Sequence, residues 1–126
     1  MLKLGMLIGF VFALGTTSAM AAQEGGRWQA QLQGQGQYSD VSGMAEVVEQ
    51  QDALTVTTRL QGAPDGGAHP WHIHVGSCAT GGGIVGDPAA YGVLQADPQG
   101  QASARAQVQT RLEPEQEYHV NVHASP

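Results

Sequence analysis

Apolar and polar residues alternate with a period of two along five stretches of this chain. Trp28, Ala30 and Leu32 alternate with Gln29, Gln31 and Gln33, and Leu54, Val56, Thr58 and Leu60 with Thr55, Thr57 and Arg59. Trp71, Ile73 and Val75 alternate with His72 and His74, Ala102 to Val108 with Ser103, Arg105 and Gln107, and Tyr118, Val120 and Val122 with His119, Asn121 and His123. Successive side chains of a strand point to opposite faces, so each stretch predicts a half-buried β-strand. "SGMAEVVEQ" predicts another strand, less cleanly patterned. No window carries a sustained stripe of period 3.6, which argues against helices. The turn clusters "GAPDGGAHP", "ATGGGIVGDP" and "ADPQGQ" separate the runs. Six or seven short strands joined by such turns predict an all-β fold, an antiparallel sandwich or barrel.

The first 21 residues follow another logic. Lys3, an apolar run from Leu4 to Leu14 and the small-residue pattern Ala19-Met20-Ala21 have the form of a secretory leader cleaved after Ala21. The run is too short to span a bilayer. The expected organisation is a signal peptide over 1–21 and one domain over 22–126, in a periplasmic or secreted protein. No cysteine lies near the cut, so no lipid-type membrane anchor is expected.

Removing Lys3 from the 5 basic residues leaves 4 against 11 acidic ones, a formal charge of −7. Nucleic acid is therefore not an expected partner, because its binding rests largely on neutralised phosphates. An acidic surface suits a cation better than an anion, although it also serves solubility.

All five histidines lie in two segments, "GAHPWHIHVGSC" and "YHVNVHASP". On a strand, His72 and His74 share a face roughly 6.6–7 Å apart, opposite Trp71, Ile73 and Val75. Two imidazoles so spaced can converge on one ion at about 2.0–2.1 Å. An isolated H-x-H pair on a solvent-facing strand more often bonds only water or carbonyls. His119 and His123 also share a face, but roughly 13 Å apart, so at most one of them completes a three-histidine set. His119 is expected at the surface, and Trp71 in the core beneath the site.

"GAHPWHIHVGSC" resembles the metal-binding signature of the copper–zinc superoxide dismutase family, G-x-H-G-[FY]-H-x-H followed by a cysteine. "YHVNVHAS" resembles the late strand that brings the last copper-binding histidine in dismutase-like bacterial proteins, and chordin-type domains share both patterns. The likeness runs from Gly67 to Ser125. It implies a Greek-key, immunoglobulin-like β-sandwich or barrel of the dismutase type, with copper as the cofactor held by His72, His74 and His123. It also implies a hydrogen-bonding rather than ligating role for His69, a turn glycine at Gly67, and at Cys78 the cysteine that pins the loop through an intrachain disulfide. Pro70 and Trp71 replace the family's Gly and aromatic.

The departures shape the expected function. No histidine lies between His74 and His119 and Asp87 is the early carboxylate there, so the family's bridging histidine and zinc site are expected to be absent. The family's electrostatic loop, guiding arginine, final strand and the partner of its loop cysteine would fall after Pro126, which leads us to expect a fold incomplete at its C-terminal edge. With one cysteine in the chain, Cys78 is expected as a thiol, a mixed disulfide or an intermolecular bridge, which makes a homodimer a second expected partner besides the copper ion. The expectation is an exported copper-binding protein that holds or buffers the ion with weak or no catalysis. No catalytic residue is assigned. The alternatives are a copper-only superoxide dismutase, a chordin-type structural module without metal and, ranked last, a zinc lyase or hydrolase.

Overall fold

In a computed structural model, the described residues are 3–4, 10–12, 26–64 and 66–124. Most of the expected leader and its cleavage site lie outside them. Within residues 1–21 two short strands are described, β1 (Lys3–Leu4) and β2 (Phe10–Phe12). Seven further strands follow: β3 (Arg27–Gln33), β4 (Ser42–Gln50), β5 (Ala53–Gln61), β6 (Ala68–Val75), β7 (Val93–Gln95), β8 (Ala102–Val108) and β9 (Tyr118–His123). Two single-turn 3-10 segments, Gly36–Tyr38 and Pro88–Ala90, are the helical elements among the described residues.

The strands form two sheets, ordered β1-β9-β6-β7 and β2-β3-β4-β5-β8, and every pairing is antiparallel. The protein is thus all-β, as the alternation predicts. The period of two decides the faces. Trp28, Ala30 and Leu32 of β3 and Leu54, Val56 and Leu60 of β5 are buried while their polar neighbours point outward. Trp71 and Ile73 of β6, Val120 and Val122 of β9 and Leu94 of β7 belong to the same core cluster, so both sheets close over one apolar interior. Apolar burial contributes about 25 cal/mol per Å². Thr58 is the polar residue on the inner face of β5, fully buried with its hydroxyl unpartnered.

The β4–β5 hairpin turns on Gln51 and Asp52, both at positive φ (51° and 66°). This is the twist-matched geometry for a two-residue hairpin, although glycine or asparagine ordinarily supplies it.

Two features differ from the sequence expectation. β7 interrupts a segment read as turn and loop, and it pairs only with the start of β6, Ala68 to Pro70. Beyond it the loop after β6 folds back along the same edge: Val75 N–H donates to the Gly83 carbonyl at 2.9 Å, Val85 N–H to the Ile73 carbonyl at 2.8 Å, and Ile84 bridges to His74. Val75, expected in the core, is 37% exposed at the last position of β6.

The chain passes from β5 in the larger sheet to β6 and β7 in the smaller, returns as β8 beside β5, and crosses again to β9 beside β6. That path pairs His72 with Asn121 and His74 with His119 across adjacent strands. The two histidine segments, remote in sequence, share one face.

Candidate metal centre

His72 and His74 project from the face of β6 opposite the buried Trp71 and Ile73. The His72 ring centroid lies 6.1 Å from that of His74 and 6.3 Å from that of His123 on β9. A ring that ligates an ion at about 2.0–2.1 Å keeps its centroid roughly 3 Å away, so two ligating rings lie at most roughly 6.5 Å apart. Both separations fall inside that ceiling, close to it. Among the described residues no three His, Cys, Asp or Glu side chains are drawn together as a finished cation site. The rings are adjacent but do not converge on one point.

The hydrogen bonds sort the histidine nitrogens. A carbonyl can only accept, so His74 Nδ1, 2.9 Å from the Gly82 oxygen, carries the proton and donates it. His74 Nε2 keeps its lone pair, and it is buried with no hydrogen-bond partner. His72 Nδ1 is likewise buried and unpartnered. A buried polar atom left unpaired costs about 1–3 kcal/mol, which an electron-pair acceptor at this face would offset. Burial first, then the neighbouring His74 and His123, hold the His72 imidazole below its ordinary 6.5, with the Pro88 backbone opposing. His72 is thus kept neutral, the form that can ligate.

His69 takes another part. It is 1% exposed, and its Nδ1 donates to the His123 carbonyl at 3.0 Å. It thereby ties the start of β6 to the last residue of β9, without turning its ring toward the His72–His74 face. The fit leaves no room at Gly67, where a Cβ would fall 2.5 Å from His69 Nε2.

His119 departs from expectation. Rather than lying at the surface it is 2% exposed, its Nδ1 donates to the Gly76 carbonyl at 2.7 Å, and its ring stacks on His74 with centroids 5.2 Å apart at 17°. The pairing of β9 with β6 sets it opposite His74, and the loop that begins at Gly76 covers it. A second residue missed by sequence reasoning is Tyr91. The Asp87 side chain caps the Pro88–Ala90 turn by accepting from Ala89 N–H, which brings Tyr91 under the site. Tyr91 packs edge-on against both Trp71 and His72, with centroids 5.2 Å away in each case, and its hydroxyl donates to the Val85 carbonyl at 2.6 Å. Burial pushes its hydroxyl up to about 12, so it stays protonated as a donor. Asp-Pro before the tyrosine was the available signal for the capped turn.

Trp71 is fully buried, as expected of core beneath the site. Cys78 lies half-buried in the loop after β6. An open groove of ≈ 840 Å³ is lined by Gln31, Gln33, Met44, Arg59, Gln61 and Gln101, among others, and contains none of the histidines. Concavity alone would point there, but no histidine or cysteine lines it. The histidine face is the better candidate on chemistry.

No protein-family model, curated protein or solved structure matches this chain.

Proposed function

We propose that this is an exported copper-binding protein of superoxide dismutase-like Greek-key fold, which holds one copper ion through His72, His74 and His123 and has weak or no catalytic activity. The supporting observation is the pair of buried, unpartnered imidazole nitrogens His72 Nδ1 and His74 Nε2, with the His123 ring beside them. Three neutral imidazoles suit copper or zinc. The Irving–Williams order favours copper(II) at such a site, and the sequence resemblance points the same way. The formal charge of −7 after leader removal favours collecting a cation over steering an anion to it, which speaks against efficient use of superoxide.

Elemental analysis after copper loading and desalting tests the proposal. The expected stoichiometry is one copper per chain in wild type, with loss on His72→Ala, His74→Ala or His123→Ala. Zinc is expected to compete for the same site without raising total occupancy above one. A wild-type protein that retains no metal would leave the chordin-type structural module as the reading. Superoxide consumption by the loaded protein well above that of equimolar dissolved copper would make it a copper-only dismutase.

A further inference from the structure

His119 is the one histidine of this face that the proposed metal set does not use, and it is among the most buried polar residues of the protein. Its two contacts engage the site at separate points. Its ring lies nearly parallel to His74. Its Nδ1–H reaches the Gly76 carbonyl, at the start of the loop whose Gly82 carbonyl receives the Nδ1–H of His74. The two stacked rings thus grip one loop at both ends, and Gly76 N–H in turn donates to the Glu117 carbonyl next to β9 at 2.7 Å. The loop cannot move without disturbing the stack, and the stack cannot turn without losing a loop carbonyl.

The consequence for His74 is specific. An imidazole held by one hydrogen bond can still rotate about that bond, and in the other tautomer it can present the wrong nitrogen. Stacking on a buried ring restrains the plane, and the Gly82 carbonyl fixes the proton on Nδ1. Together they leave Nε2 without a partner, in a ring whose centroid is 6.1 Å from that of His72. We propose that His119 is a positioning residue, which holds the ring plane of His74 so that its Nδ1–H stays on the Gly82 carbonyl, and does not itself bind the ion. This rests on the metal reading above, but the positioning claim also holds for the metal-free protein. Partners that orient metal-ligating imidazoles typically account for about 10–100-fold in metal affinity.

Two variants separate the roles. His119→Phe keeps a flat ring for the stack and removes both nitrogens, whereas His119→Ala removes the ring as well. In the metal-free protein, nitrogen-15 NMR of the imidazoles should find His74 as the Nδ1–H tautomer in wild type and His119→Phe, and as a mixture of tautomers in His119→Ala. With copper, His119→Phe should keep one ion per chain, the wild-type EPR spectrum and an affinity within about threefold of wild type. His119→Ala should keep the stoichiometry while affinity falls about 10–100-fold and the copper hyperfine splitting changes. If His119→Phe loses copper as fully as His123→Ala does, His119 is a ligand and the proposal is wrong. It is equally overturned if His119→Ala leaves the His74 tautomer and, where copper binds, the EPR spectrum unchanged while only lowering stability. Absence of bound copper in wild type would sink the metal reading alone, because the tautomer measurement still decides whether His119 positions His74.

Discussion

The Gly82 carbonyl anchors His74 from a loop, so the loop's backbone path should control the site. At Gly82 a Cβ would fall 2.0 Å from the Val75 carbonyl oxygen and 2.9 Å from its carbon. Both are main-chain atoms of a paired strand and cannot swing aside. Gly82→Ala must therefore push the loop away from β6 by roughly 1 Å or more, which stretches a typical 2.7–3.2 Å hydrogen bond past its useful range. Two bonds stand to be lost, His74 Nδ1–H to Gly82 O and Val75 N–H to Gly83 O. At about 0.5–1.5 kcal/mol each, the expected destabilisation is about 1–3 kcal/mol. Gly83 supplies a matched control, because a Cβ there meets nothing within 4 Å and its φ is not positive. Gly83→Ala should be neutral or stabilise by up to about 1 kcal/mol through the unfolded chain. Urea denaturation of the metal-free proteins should place Gly82→Ala well below both wild type and Gly83→Ala. A copper competition titration should show weaker binding by about 10–100-fold in Gly82→Ala only. If the two alanine variants agree within about 0.5 kcal/mol and bind copper equally, the loop does not anchor His74 as described.

Other expectations can be checked alongside. Because burial and its histidine neighbours hold His72 below 6.5, the unfolded chain binds more protons as pH falls through 6.5, and the metal-free protein should lose stability between pH 7.5 and 5. Denaturation midpoints that stay flat across that window, or do not flatten in His72→Gln, would contradict this. Asp52→Gly should stabilise by up to about 1 kcal/mol. Relief of a left-handed non-glycine residue, about 1–2 kcal/mol, outweighs the exposed Arg111–Asp52 ion pair at 3.2 Å, worth about 0–1 kcal/mol; a measured loss of stability would reverse that ranking. A chain beginning at Ala22 lacks the strands that pair with β9 and β3, so sedimentation velocity should show self-association that grows with concentration, whereas a monomer at every concentration would refute it.

What the sequence disclosed follows the range of its forces. Alternation is local, and it gave the faces of β3, β5, β6, β8 and β9 because side chains i and i+2 must share a side. It also placed His72 with His74, and His119 with His123, before any pairing was known. β7 escaped because three residues, Val93 to Gln95, are too few to show a period, and Val93 remains exposed. The Gln51–Asp52 turn escaped because neither residue advertises positive φ. The burial of His119 was beyond reach for a different reason: its cover is a backbone carbonyl 43 residues away in sequence, delivered by a loop whose course depends on the edge that β7 leaves open.

That dependence also orders the five histidines chemically. His69, His74 and His119 each commit Nδ1 to a main-chain carbonyl, of His123, Gly82 and Gly76 respectively. Only in His74 does the remaining nitrogen lie buried on the face shared with His72, whose own Nδ1 is also uncommitted. His69 meets Gly67 instead, and His119 meets His74. Residue type alone makes all five equivalent donors. Backbone carbonyls set three of them apart, His69, His74 and His119, by fixing which nitrogen holds a proton and which holds a lone pair. A metal site in this protein is therefore specified as much by glycines that let the main chain approach closely as by the histidines themselves. A substitution at Gly82, which touches no proposed ligand atom, should consequently weaken copper binding more than removal of an exposed carboxylate such as Glu46, despite the latter's charge.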